Sequence, residues 1–300
     1  MTKTRRALLT GASGFVGSHL VGSLRRAGWI VAAVARPGSA RVLGANRRVD
    51  KIFSYTGKTQ QVCAAVEEFR PEVVFHLASL FLAQHRIEDV EPLIQGNVLF
   101  GAQLLEGMRQ AGATRLVNAG TSWQNHAGAG YEPLNLYAAT KQAFEDIMQY
   151  YVAVAGLKCT TLRLFDSYGP GDTRKKLVSA MLDCLRTGET LEMSPGNQVI
   201  DLAHVDDVCR AFRHAGNMMM AQEKPGSSVY AASGGQRMSV REVAATLEKA
   251  AGRKISIKFG ARTYREREAM VPWEGEPLPG WKPRITLIDG FRSLVAEERA

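Results

Sequence analysis

Five short apolar runs punctuate the first half of the chain: ALLT at 7–10, WIVAAVA at 29–35, EVVFHLA at 72–78, RLVNA at 115–119 and CTTLRLF at 159–165. Each is nearly continuous in apolar character and alternates with a segment of helical period, so the rhythm predicts βαβ units. Strands without a polar face are buried on both sides, which calls for a parallel sheet covered by helices front and back. Between the first two runs, Val16, Leu20, Leu24 and Ala27 recur every three or four residues. They form the single apolar stripe of a helix, and Gly28 stands where its C-terminal cap belongs. Beyond about residue 166 the rhythm breaks up, with turn residues at Gly169–Gly171, Pro195-Gly196, Pro225-Gly226, Gly234-Gly235 and Pro277–Pro283. With no internal repeat and no low-complexity linker, this second part is expected to pack directly on the sheet and to leave a cleft that houses a substrate.

Composition narrows the field. A chain of 300 residues with 45% hydrophobic content can bury a sizeable core. No stretch approaches the roughly 20 apolar residues of a membrane span, and the opening MTKTRRALLTG is a poor signal peptide, which predicts a cytoplasmic protein with no membrane partner. Cys63, Cys159, Cys184 and Cys209 are scattered without a C-x-x-C pair, so no metal site or disulfide framework is expected. A net charge of +9 suits an anionic partner. The basic residues fall in separate groups (Arg5-Arg6, Arg41 to Arg48, Arg174 to Lys176, Arg262 to Arg267) without interleaved aromatics, which favours a phosphorylated small molecule over nucleic acid.

The candidate chemistry begins at LLTGASGFVG, residues 8–17, where Gly11, Gly14 and Gly17 lie between the first strand and the striped helix. Glycines there let the backbone turn sharply and approach a pyrophosphate, and the free N–H groups at the helix start favour its charge. At the end of the second strand, where an NAD-specific protein presents Asp or Glu to the ribose, this chain has Arg36. A guanidinium pairs with a 2′-phosphate, Arg41 is close enough to help, and NADP(H) is therefore expected over NAD(H).

Tyr137 and Lys141 stand four apart in the strongly helical LNLYAATKQAFEDIMQYY, so they share one face. An ammonium beside a phenol, and the positive nicotinamide ring, are expected to lower the tyrosine pKa, and lysine has donors to spare for ribose hydroxyls. Just upstream, VNAGTSWQN places Thr121 and Ser122 at the carboxyl end of a central strand. A hydroxyl there can bond the same substrate oxygen as Tyr137, and Thr121 is the preferred of the two.

With the glycine turn, HLAS at 76–79, Asn97 in QGNVLFGAQLLE, the Thr-Tyr-Lys set and GWKPRITLIDG at 280–290, the chain resembles the extended short-chain dehydrogenase/reductase family, the NAD-dependent epimerase/dehydratase group, over nearly its whole length. The resemblance implies a Rossmann-type doubly wound parallel sheet with a smaller C-terminal α/β substrate domain. It divides the chain into a cofactor domain at 1–166, with segments near 200–235 returning to it, and a mainly nucleotide-sugar-binding domain at 167–300. It implies that Gly11, Ser13, Gly14, Phe15, Val16, Gly17, Arg36, Leu77, Ala78, Ser79, Asn97, Tyr137 and Lys141 hold the cofactor. Thr121, Tyr137 and Lys141 become the catalytic set.

Within the family, AGTSWQ, NLYAATKQAFED and LRLFDSYGPGDTR are most similar to nucleotide-sugar 4-ketoreductases such as CDP-abequose and CDP-paratose synthases. Dehydratases of the group carry Asp-Glu where this chain has Ser122 and Trp123, so elimination of water lacks its agents. Two positions depart from the pattern: Asp166 stands where relatives have Asn, and Ile200 where they have an arginine for the substrate diphosphate. Substrate contacts are accordingly expected from Thr121, Ser122, Trp123, Asp166, Arg174, Lys175 and Arg265, with Arg267 a further candidate. The expected activity is NADPH-dependent reduction of a nucleoside-diphosphate 4-keto-6-deoxyhexose. A C4 epimerase using the same set, and a non-catalytic dinucleotide-binding protein, are the alternatives. The family habit of pairing through two long helices predicts a homodimer, with 88–112 and 135–155 as the helices.

Overall fold

A computed structural model describes residues 5–45, 49–126 and 130–297. The extreme N-terminus, Met1–Thr4, and the basic residues Arg47 and Arg48 lie outside the described residues. The chain begins with β1 (Arg6–Thr10), α1 (Phe15–Arg26), β2 (Ile30–Ala35), α2 (Pro37–Ala45), β3 (Lys51–Ser54), α3 (Thr59–Phe69) and β4 (Val73–His76). It continues through α4 (Val90–Ile94), a π-helical turn (Gln95–Leu99), α5 (Phe100–Ala111), β5 (Arg115–Thr121), α6 (Leu136–Ala155) and β6 (Lys158–Leu164). All five apolar runs are strands of one seven-stranded sheet ordered β10-β6-β5-β4-β1-β2-β3, where β10 is Gly226–Ala232 and every pairing is parallel. The fold is thus the doubly wound α/β sheet that the rhythm predicts. The edge strand β3, four half-exposed residues, has no apolar run to announce it.

Helices cover both faces, as continuous strand hydrophobicity requires. On one side Leu20, Val21 and Leu24 of α1 pack with Phe212 and Ala215 of α8 (Val205–Ala221) against β1, β2 and β4. On the other, Val62 and Val66 of α3, Leu104 and Met108 of α5, and Phe144 and Met148 of α6 form the second layer. Gly28 follows α1 with φ +80°, one residue beyond the Ala27 cap, where the left-handed backbone stops the helix without a Cβ penalty.

The remaining elements build a smaller lobe with its own core. They are β7 (Asp166–Tyr168), α7 (Leu177–Thr187), β8 (Leu191–Met193), β9 (Val199–His204), β11 (Arg237–Ser239), α9 (Val240–Ala251), β12 (Ile257–Phe259) and α10 (Leu287–Glu297). Tyr168, Met181, Leu247 and Phe291 are at its centre. No described helix is long and apolar enough to cross a membrane.

The order of the large sheet reverses between β1 and β4: the chain runs outward through β2 and β3, then returns beside β1 and proceeds the other way. In open α/β sheets the crevice at the carboxyl ends of such strands is the place for a ligand.

Candidate active site

At that reversal lies a cavity of about 230 Å³. Its first wall is the glycine turn. Gly11 has φ +74°, and a Cβ there would come within 2.6 Å of the backbone N of Ala78; a Cβ on Gly17 would strike the Gly11 carbonyl. The turn therefore closes against the end of β4 only because these positions lack side chains. The Gly14 N–H donates to Gly11 O at 3.0 Å, so the loop is preformed. A cradle that any Cβ would fill, opening on the start of α1, fits the pyrophosphate of a dinucleotide.

The second wall is α6. Asn135 caps it by accepting the Ala138 N–H at 2.9 Å, and its amide donates to Ala83 O at 3.0 Å, tying the helix start to the loop after β4. One helical turn apart, Tyr137 and Lys141 both line the cavity. Burial governs both. It raises the Tyr137 phenol to about 12, against the lowering influence of the Ser79 and Thr121 hydroxyls that bond it. It lowers the Lys141 ammonium to about 8, opposed by the carboxylate of Glu145. The expected depression of the tyrosine pKa by its lysine is thus not what the apoprotein has: desolvation outweighs the two hydroxyls that bond it, the Asp166 charge adds to the rise, and the phenol keeps its proton. Thr121 rather than Ser122 is the hydroxyl that reaches Tyr137.

Beneath them His76 is fully buried between Phe100 and Phe144, its Nδ1 2.8 Å from the Thr10 hydroxyl. Burial first, and the Lys141 charge second, push it down to about 3, so it is a neutral packing group.

The other expected residues divide by position. Gly14, Phe15, Val16, Leu77 and Ser79 line the cavity on the cofactor side; Ser122, Trp123, Asp166 and Arg174 line it on the other. Ser13 is exposed on the glycine turn and Ala78 closes behind Gly11. Asn97 does not reach the cavity. Sitting in the π-helical turn, it accepts from the Ser79 hydroxyl (3.0 Å) and the Leu80 N–H (2.7 Å) and donates to Leu80 O and Thr140 Oγ1. It fastens the loop bearing Ser79 to α6. Arg36 is exposed between β2 and α2, with Arg41 on α2.

Lys175 and Arg265 point to solvent, away from the cavity lining, and Arg267 donates to Glu132 Oε1 at 2.9 Å. Ile200 packs on the small lobe's core.

Sequence reasoning missed several cavity residues. Lys176, next to the expected Lys175, is the inward cation: its Nζ donates to Asp166 Oδ1 at 2.8 Å and lies 4.7 Å from the Phe81 ring. Phe81 meets Tyr137 edge-on at 5.0 Å and Trp123 at 5.4 Å. Arg174 spans Phe15 at 4.2 Å and grips Asp172 with two bonds of 2.7 Å. The cavity thus offers three cations, Lys141, Arg174 and Lys176, an acid paired with the last of them, and an aromatic wall around one protonated phenol.

Residues 7–230 match the family model described as Epimerase, NAD dependent epimerase/dehydratase family. A CDP-abequose synthase of Yersinia pseudotuberculosis is 26% identical over 89% of this chain and 91% of that protein. A UDP-glucose 4-epimerase of Mycolicibacterium smegmatis is 26% identical over 97% of each. Among solved structures, MoeE5 in complex with UDP-glucuronic acid and NAD superposes with a TM-score of 0.81 at 28% identity, covering 98% of this chain and 99% of that one. The Thermus thermophilus UDP-glucose 4-epimerase complex with NAD also gives 0.81, at 27% identity over 98% and 99%.

Proposed function

The chain belongs to the NAD dependent epimerase/dehydratase family, and on that premise we propose that it is an NADPH-dependent reductase of a nucleoside-diphosphate 4-keto-6-deoxyhexose, with Tyr137 giving the proton to the C4 oxygen. The observation that carries the reading is that the glycine turn, Thr121, Tyr137 and Lys141 line one cavity, with the Tyr137 phenol kept protonated by burial, the form a carbonyl reduction consumes. When bound, NADPH supplies the hydride to the carbonyl carbon. Thr121 donates to the same oxygen that Tyr137 protonates and steadies its developing charge. Lys141, four residues on, bonds the nicotinamide ribose and stabilises the phenolate left behind. The glycine turn and the start of α1 hold the pyrophosphate, and Arg36 with Arg41 holds the 2′-phosphate at the end of β2.

On the substrate side Trp123, Phe81 and Phe165 give an apolar wall for a deoxygenated sugar, while Lys176 and Arg174 face its diphosphate. Residues 1–166, with segments near 200–235 returning to them, serve the cofactor and the rest of 167–300 serves the nucleotide sugar, in a cytoplasmic homodimer. The name of the Yersinia relative and the absence of an acid pair at Ser122-Trp123 support reduction. The names of the epimerase relatives keep C4 epimerisation as the second reading, since it needs the same three residues.

Stoichiometry separates them. Incubated with NADPH and a panel of nucleoside-diphosphate 4-keto-6-deoxysugars, the protein is expected to oxidise one NADPH per product; product formed with no net loss of nicotinamide absorbance refutes the reductase. Arg36 predicts NADPH affinity at least about tenfold above NADH, a difference of roughly 1.4 kcal/mol. Equal dissociation constants in a fluorescence titration would remove Arg36 from the site.

A further inference from the structure

Behind the cavity floor, on the face of the sheet that α6 covers, a polar network runs through the interior. Glu145, Gln124, Arg163 and Asn125 are all buried, with Gln142 half-buried at its edge. Arg163, on β6, donates from Nη2 to Glu145 Oε2 at 3.0 Å and to Gln142 Oε1 at 3.2 Å, and from Nη1 to Asn125 Oδ1. Gln124 Nε2 donates to Glu145 Oε1 at 2.8 Å and to Gln142 Oε1 at 2.9 Å. The other end of the Gln124 amide, Oε1, accepts the Thr121 N–H at 2.9 Å.

We propose that Glu145 is a positioning residue for the reaction: its carboxylate anchors the NH₂ end of the Gln124 amide whose carbonyl end holds the Thr121 N–H, and it sets a negative charge against Lys141. The inference rests on the proposed roles of Thr121 and Lys141. Its first half follows from hydrogen-bond bookkeeping. A carboxylate has no proton to offer, so the NH₂ of Gln124 must turn toward it, which leaves the carbonyl for Thr121. A flipped amide would set N–H against N–H and acceptor against acceptor in a dry interior, leaving buried groups without partners. The turn Ser122–Gln124 is thereby locked, and with it the Thr121 hydroxyl that meets Tyr137. Gly120 lets the network press on the strand end: a Cβ there would stand 3.1 Å from both Arg163 Cγ and Gln124 Oε1.

The second half follows from the helix. Tyr137, Lys141 and Glu145 succeed one another at four-residue intervals on α6, and the carboxylate favours the charged ammonium against its burial. The other groups around it are neutral His76 on β4, protonated Tyr137 on α6, and, beyond the pair, Arg163 on β6 and Asp166 on β7. Arg163 also continues the network across the cleft, its guanidinium 5.3 Å from the Trp273 ring that stacks on Phe165.

The test is Glu145→Gln, measured in two ways. An amide at 145 that accepts from Gln124 must turn its NH₂ on the Arg163 guanidinium, donor against donor, so the anchor on Gln124 is broken, and the charge facing Lys141 is gone. On the sugar that the wild type reduces, kcat is expected to fall roughly 100-fold, the scale of a misplacement of about 1 Å, with KM within about twofold. Separately, reduced-dinucleotide affinity is followed across pH by nicotinamide fluorescence, which needs no sugar. The pH at which affinity weakens, as Lys141 gives up its proton, is expected to move at least about half a unit lower than in the wild type. A kcat within twofold of wild type overturns the proposal, as does a lost kcat with the pH break unmoved. Should the variant fold poorly, Gln124→Met keeps the Glu145–Arg163 pair and removes the side-chain bonds of Gln124 to Thr121, Glu145 and Gln142. It is expected to lose kcat with its pH break in place, and undiminished kcat overturns the proposal. A wild type that turns over no keto-sugar speaks against the functional reading alone, because the binding arm remains readable.

Discussion

Tyr137 and Lys141 are pushed by burial toward their uncharged forms, the phenol up to about 12 and the amine down to about 8. For a reductase the first is useful, since the proton donor stays loaded through the physiological range. The second is a cost. The ordinary lysine value is 10.5, so folding strips solvent from a charge that water would have kept. Below pH 8 the ammonium is charged in both states and the native state bears the full penalty. Between 8 and 10.5 the unfolded chain binds more protons than the native one, so this residue's contribution to stability improves as pH rises. The difference amounts to roughly 3 kcal/mol. Lys141→Met is therefore expected to raise the apoprotein's melting temperature at pH 7 by several degrees, with the gain fading between pH 8 and 10.5, while activity is lost. A melting temperature below wild type at pH 7 would show that Lys141 is held by attraction and not against desolvation. In the wild type, kcat/KM for reduction is expected to be level near neutrality and to fall above about pH 8, as Lys141 loses its charge and not as Tyr137 does.

Two glycines, Gly17 in the first turn of α1 and Gly28 just beyond its end, do different work. Gly17 meets the Gly11 carbonyl across the turn, whereas Gly28 faces open space and is constrained only by its φ of +80°. Gly28→Ala is expected to cost about 1–2 kcal/mol of stability in chemical denaturation, with dinucleotide binding intact. Gly17→Ala must open the cradle, and at least about a tenfold loss of dinucleotide affinity is expected. Equal affinities in the two variants would mean that the turn does not shape the cofactor site. These elements were legible beforehand because their signals are local: five apolar runs mark β1, β2, β4, β5 and β6, and one stripe marks α1. The edge strands were not. β3 is four half-exposed residues, and β10 buries only its last two, so neither carries a continuous run. The site shows the same division. Gly-x-x-Gly-x-x-Gly and the Tyr137–Lys141 interval are patterns within one segment. The inward cation, Lys176, differs from Lys175 only in how the chain enters α7, which adjacency in sequence does not settle. Glu145 extends the Tyr137–Lys141 stripe visibly, but its partners Gln124 and Arg163 arrive from other elements.

At the scale of the molecule, several of the exposed apolar side chains fall on two helices, Val90 and Ile94 on α4, with Leu99 just beyond, and Tyr150 and Val154 on α6, while others such as Ile30, Val42, Tyr131 and Val271 lie elsewhere. Clusters of this kind on otherwise polar helices mark association surfaces. The protein is expected to sediment as a dimer, and Ile94→Asp with Val154→Asp as a monomer; a wild type that sediments as a monomer at micromolar concentration would rule this out. The same molecule brings three separate segments, the strand end at Thr121, the helix at Tyr137 and the glycine turn, to one crevice, and its chemistry depends on their meeting there. The most direct test is single-turnover reduction by Tyr137→Phe. That variant is expected to bind reduced dinucleotide within about twofold of wild type and to turn over some 10²- to 10⁴-fold more slowly, the range of a lost general acid. A rate matching the wild type would contradict the account.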